Sequence, residues 1–172
     1  TAKLTVVVPL PLIISGRITN GADGLGGVKV TVSGVTNSAI TDFNGYYTIY
    51  SLPTNTYTVT PSLACFRFSP SNQVVHVGPN NTNGVSFSAS NDLHLIRGRV
   101  IEYTNGLSGV TVTVTGGGET NSLITDTNGY YTLSGLCSNT YSVTPSLRCY
   151  RFDPASQSLQ LGSDTTDVNF IA

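Results

Sequence analysis

A chain of 172 residues and 18.1 kDa holds one domain of ordinary size or two small ones. Only 10% of it is charged, against roughly 25% in an average soluble domain, and two Lys, six Arg and a net charge of −1 exclude a basic nucleic-acid binder and a disordered chain. No run of about 18 apolar residues is present, so no segment crosses a membrane as a helix. Hydroxyls fill the gap left by charge: 24 Thr and 19 Ser, with 14 Asn and 18 Gly. The absence of Met and the start at Thr1 predict an N-terminus made by proteolysis, with any signal peptide already removed.

Residues 1–12 come first and have no later counterpart. Ala2, Leu4, Val6, Val8 and Leu10 share one face at period two, the pattern of a strand. Pro9 and Pro11 stiffen its far end. Ten residues at about 3.3 Å each run about 33 Å, the height of one small sandwich. An uncovered strand of this kind is an aggregation hazard. Three fates stand open: addition to a sheet of a neighbouring subunit, folding back on its own repeat, or linkage to an upstream domain.

The rest of the chain is one unit written twice. Residues 15–34 align with 97–116, and 36–78 with 120–162, with about 36 of 63 positions identical. Gly24-Leu25-Gly26-Gly27-Val28 returns as Gly106-Leu107-Ser108-Gly109-Val110. Thr41-Asp42-Phe43-Asn44-Gly45-Tyr46-Tyr47 returns as Thr125-Asp126-Thr127-Asn128-Gly129-Tyr130-Tyr131. The expected domains are an extension at 1–12 and repeats at 13–90 and 91–172.

Within each repeat the period is two. Val28, Val30 and Val32 alternate with Lys29, Thr31 and Ser33, and Val110, Val112 and Val114 with Thr111, Thr113 and Thr115; the valines belong to a buried face and the hydroxyls to water. Strands are expected over 15–19, 27–33, 38–42, 46–50, 55–60, 73–77 and 84–89, with equivalents in the second repeat. Asn44-Gly45 and Asn128-Gly129 read as tight hairpin turns. Short strands at this spacing, without helical periodicity, predict two all-β, seven-stranded antiparallel sandwiches in tandem.

The succession Gly16-x-Ile18, Gly24-Leu25-x-Gly27-Val28-x-Val30, Thr41-Asp42-x-x-Gly45-x-Tyr47, Leu52-Pro53 and Tyr57-x-Val59 resembles the carboxypeptidase regulatory-like domain. It is also similar to the collagen-adhesin B-type repeats of bacterial surface proteins. The resemblance covers both repeats and implies seven-stranded, transthyretin-like sandwiches that serve as stalks, spacers and accessory modules. The Lys–Asn isopeptide of adhesin repeats is not carried over. The second repeat has no lysine, and Lys29 is out of phase with the core valines.

Candidate chemistry is sparse. His76 and His94 have no Cys, Asp or Glu at ligand spacing and read as surface residues. Asp42 and Asp126 read as turn formers, since the acidic positions of a calcium loop do not follow. Serine has no local His and acid beside it. No enzyme, metal site or cofactor is expected. Thr111, Thr113 and Thr115 could carry glycans or face a ligand, but threonine is also an ordinary solvent-facing strand residue. Tyr46, Tyr47, Tyr50, Tyr130 and Tyr131 could form a sugar-stacking surface, but alternation buries a part of them, and ordinary core and rim packing accounts for them as well. Asn80, in Asn80-Asn81-Thr82, is the one N-glycosylation sequon.

Cys65 and Cys149 occupy equivalent positions after the fifth expected strand, and Cys137 stands where the first repeat has Pro53. Cys137 and Cys149 bracket a strand, about 20 Å or more apart, too far for a disulfide. Counting strand reversals instead puts Cys65 at the exit pole of repeat 1 and Cys137 at the entry pole of repeat 2; if the repeats stack end to end those poles meet, and a Cys65–Cys137 bridge is expected. Two functions follow from the whole. One is a structural subunit of an extracellular filament or surface assembly, in which Leu4, Val6, Val8 and Leu10 pair with a copy of the same chain. The other is an adhesin or glycan-binding stalk on a cell surface.

Overall fold

The computed structural model describes residues 11–172, and the expected assembly strand with Leu4, Val6, Val8 and Leu10 lies outside them. The described chain has no helix and divides into two compact units, the first ending at Asn91 and the second beginning at Asp92. The first contains β1 (Leu12–Asn20), β2 (Asp23–Gly24), β3 (Lys29–Val32), β4 (Ser38–Ile40), β5 (Tyr46–Leu52), β6 (Asn55–Ser62), β7 (Phe66–Ser69), β8 (Gln73–Val77) and β9 (Phe87–Asn91). The second contains β10 (Leu93–Glu102), β11 (Asn105–Gly106), β12 (Thr111–Gly116), β13 (Glu119–Ile124), β14 (Tyr130–Cys137), β15 (Asn139–Ser146), β16 (Gln157–Leu161) and β17 (Phe170–Ile171).

Each unit has two sheets. One runs β4-β3-β6-β8 in the first unit and β13-β12-β15-β16 in the second, antiparallel throughout. The other is built on the first long strand. In the first unit β1 carries β5 antiparallel and β9 parallel, with β2 pairing at its end and β7 beyond β9. In the second, β10 carries β14 antiparallel and β17 parallel. The valine alternation does what its period dictates: Val28, Val30 and Val32 are buried, as are Val110, Val112 and Val114, while Lys29 is exposed. Across from them lie Ile14, Ile18, Tyr47, Ile49 and Phe87 in one core and Ile96, Val100, Tyr131 and Phe170 in the other. Fully burying a side chain of this size contributes about 1.5–3 kcal/mol.

Three expectations change. The first unit has two more extended pieces than the seven read from its sequence, the short β2 and the four-residue β7. One ladder in each unit is parallel, because the last strand returns beside the first and runs with it. Asn44-Gly45 is a tight turn, with Gly45 at φ 80°, but it closes no hairpin. The strands it joins, β4 and β5, belong to different sheets, so the turn is a corner carrying the chain across the sandwich. Asn128-Gly129 does the same between β13 and β14, with Gly129 at φ 78°.

Candidate functional site

The residues singled out by repetition hold the corners together. Asp42 Oδ1 accepts from the amides of Asn44 and Tyr46, both at 2.9 Å. Asp126 Oδ1 accepts from Asn128 and Tyr130, both at 2.8 Å. These carboxylates cap a turn. The preceding threonine is buried in each copy. Thr41 Oγ1 accepts from Val28 N at 2.9 Å and donates to Leu25 O at 2.7 Å. Thr125 repeats this with Val110 N at 3.0 Å and Leu107 O at 2.8 Å. Arg17 and Arg99 complete the corner by donating from Nε to Asn44 O at 3.0 Å and Asn128 O at 2.9 Å. The sequence reading missed these two arginines; the signal was their equivalence between copies.

The tyrosines separate by alternation as expected. Tyr47 and Tyr131 are buried, whereas Tyr46, Tyr50 and Tyr130 are exposed. The Tyr47 hydroxyl donates to Val85 O at 2.6 Å, and that of Tyr131 to Val168 O. Burial pushes both phenols well above the ordinary tyrosine range. The native fold therefore favours the neutral form, and its stability is level below about pH 10, where an unfolded tyrosine begins to ionise. Above that pH each unit loses about 1.4 kcal/mol per pH unit from this group. Urea unfolding followed from neutral to strongly alkaline pH should show the loss, and Tyr131→Phe should flatten it for the second unit alone.

The two histidines differ. His76 is exposed on β8. His94 is not a free surface residue: its side chain is 14% exposed, and Nε2 lies 2.9 Å from Oδ1 of the buried Asp92. The partner stands two residues upstream, close enough in sequence to have been seen. Asp164 Oδ1 lies 3.9 Å from the opposite ring nitrogen, so the two carboxylates share no point for a cation. Ser138 Oγ is 3.2 Å from the nitrogen that Asp92 already holds, which leaves that hydroxyl without an unoccupied base. Among the described residues no group of three His, Cys, Asp or Glu is arranged to hold a metal ion.

Cys65 and Cys137 are in the disulfide state, and Cys149 is an exposed free thiol. Asn80 is exposed between β8 and β9, and Thr82 of its sequon donates to His76 O at 2.8 Å. The threonine ladder Thr111, Thr113 and Thr115 lines the outer face of β12, with Thr113 Oγ1 3.1 Å from Ser122 Oγ on β13. The uncharged hydroxyls stand in rows set by strand register.

Comparison with known proteins accounts for both units. Residues 14–95 match the family model described as CarboxypepD_reg-like domain, and residues 95–171 the model described as carboxypeptidase regulatory-like domain. Over 169 residues the chain is 33% identical to the chitinase ChiA of Flavobacterium johnsoniae, a match covering 95% of this chain and 11% of that protein. The fold is similar to a streptococcal ancillary pilin, with TM-score 0.62 and 14% identity over 94% of this chain and 62% of that one. It is also similar to a minor pilin of Streptococcus agalactiae, with TM-score 0.54 and 11% identity over 94% and 95%. The chain thus spans a small part of the chitinase and less than two thirds of the ancillary pilin. The repeated glycine corners, the paired sheets and both family matches lead to one conclusion: this chain belongs to the carboxypeptidase regulatory-like family, as two such domains in tandem.

Proposed function

We propose that the chain is a non-catalytic structural module of an extracellular surface protein or assembly. The observation that carries this is the duplication itself: two sandwiches, each with its own core, joined by the single residue Asp92 between β9 and β10. The repeated pairs Asp42 and Asp126, Thr41 and Thr125, and Arg17 and Arg99 all brace corners. Cys65 paired with Cys137 belongs to the same reading, as a cross-link from one repeat to the next that lowers the entropy of the unfolded chain. Asn80 would accept a glycan in a glycosylating host.

Two forms of this function differ in what residues 1–10 do. In the first, Leu4, Val6, Val8 and Leu10 add as a strand to a neighbouring copy, giving head-to-tail contacts that propagate. Open sheet edges support it: β13 carries no lysine, and its outward Ile124 is 67% exposed, as Ile40 on β4 is 69%. In the second, the pair is a spacer inside a longer protein, a reading favoured by its match to 11% of a chitinase. Negative-stain imaging of the full chain and of a chain lacking residues 1–10 separates the two. Concentration-dependent polymers that vanish on deletion support strand addition, and monodisperse monomers in both samples support the spacer. Non-reducing peptide mapping of the same samples should recover Cys65 linked to Cys137; a Cys137–Cys149 peptide would overturn the cross-link.

A further inference from the structure

The two copies diverge sharply at one place on the outer face of β10. Arg99 and Arg97 stand two residues apart on the same side of the strand, on either side of buried Gly98. Arg99 has a structural duty, shared with Arg17: both donate to a corner carbonyl, and both lie over the following tyrosine, Arg17 at 5.2 Å from the Tyr46 ring centre and Arg99 at 5.0 Å from that of Tyr130. Arg97 has no such counterpart. The first unit has Ser15 there, whose hydroxyl is engaged by Asn83 at 2.7 Å. The Arg97 guanidinium lies 5.6 Å from the centre of the Tyr130 ring and makes no hydrogen bond among the described residues.

Facing it, the chain between β16 and β17 has changed as well. Gly84 in the first unit sits at φ 78°, a conformation that suits glycine; the second unit keeps the conformation, φ 66°, but places Asp167 in it. An L-residue holds this backbone at a cost of roughly 1–2 kcal/mol, somewhat less for Asp. Strain retained at one of two otherwise matching positions points to a use for the side chain. The Asp167 carboxylate is exposed, with Thr166 Oγ1 at 3.2 Å as its neighbour. Arg97, Gly98, Tyr130, Thr166, Asp167 and Asn169 together line a hollow of about 210 Å³. Drug-sized ligands take roughly 300–1,000 Å³, so this one suits a single ring.

We propose that this hollow binds an acidic sugar, a hexuronate residue of a glycan. The guanidinium of Arg97 presents a planar fork that matches a carboxylate. Asp167 accepts hydrogen bonds from hydroxyls, Thr166 and Asn169 add polar contacts, and Tyr130 supplies an aromatic edge to the ring. A neutral sugar leaves the Arg97 fork unanswered, whereas sulfate answers the fork but brings no hydroxyl donors for Asp167. This site is independent of how the module is assembled.

The test is an amide chemical-shift titration of the isotope-labelled full chain with glucuronate and galacturonate, against glucose, sulfate and glycine. Uronates should shift Gly98, Tyr130, Asp167 and Asn169 at millimolar concentration, and leave Gly16 and Tyr46 of the first unit unmoved. Arg97→Ser and Asp167→Gly each install the first unit's residue, so the fold is retained, and each should weaken uronate binding about tenfold or more, which is about 1.4 kcal/mol. Equal shifts with glucose, sulfate or glycine, no shift with uronate, or undiminished binding by Arg97→Ser would overturn the proposal.

Discussion

Gly98→Ala should leave the second unit unfolded at room temperature while the first stays native. A Cβ on Gly98 would overlap the backbone carbonyl of Val168, and Gly16 stands in the same relation to Val85. Neither neighbour is the movable tip of a side chain. Each carbonyl also receives the hydroxyl of a buried tyrosine, Tyr131 or Tyr47, so displacing it breaks a second interaction in the core. A domain of this size has about 5 kcal/mol or a little more to lose, and a backbone overlap with loss of a buried hydrogen bond is of that order. Hydrogen exchange reads the two units separately. The amides of Val110, Val112 and Val114 should lose protection, and those of Val28, Val30 and Val32 should keep it. Retained protection in the second unit would mean that the Val168 segment can move aside, contrary to the tight approach seen here.

Thr125→Val should destabilise the second unit by about 2–4 kcal/mol, although it replaces one β-branched residue by another of the same shape. The Thr125 hydroxyl bridges Val110 N and Leu107 O, and the residue is 4% exposed. Removing the bridge leaves a buried donor without this partner, at about 1–3 kcal/mol, and a half-buried acceptor, at the lower end of that range. Thr115→Val, on an exposed position of β12, should change stability by less than about 0.5 kcal/mol. Thr125→Ser keeps the hydroxyl and should recover most of the loss. Denaturant midpoints of the three variants settle the comparison, and equal effects of Thr125→Val and Thr115→Val would show the bridge to be energetically idle.

The pair of threonines also illustrates what the sequence makes legible. Thr41 and Thr125 are marked by repetition, but nothing in their local spacing says that the side chain turns inward to tie the loop at Leu25 or Leu107 to the start of the next strand. The valine faces were readable because a long alternation survives any choice of partner strand. In sequence the corner at Asn44-Gly45 looks like a hairpin because a hairpin and an inter-sheet corner use the same left-handed glycine. Only the pairing of β5 with β1, more than thirty residues away in sequence for some partners, tells them apart. β7 escaped because its alternation lasts four residues, Phe66 and Phe68 half-buried against exposed Arg67 and Ser69, and a proline follows. The Arg97 hollow draws on three stretches of chain, and periodicity within one strand carries no trace of it. What does carry a trace is substitution between the copies, Ser15 against Arg97 and Gly84 against Asp167.

The parallel pairing of β1 with β9, and of β10 with β17, has a consequence for ancestry. A unit whose last strand runs beside its first in the same direction takes the chain in at one end and releases it at the other. Copying such a unit in frame requires no new return connection, so the gene can lengthen or shorten by unequal recombination while every copy keeps its own core. One residue between β9 and β10 is then all that a duplication had to leave behind, and divergence afterwards was free to fall on outer faces such as that of β10.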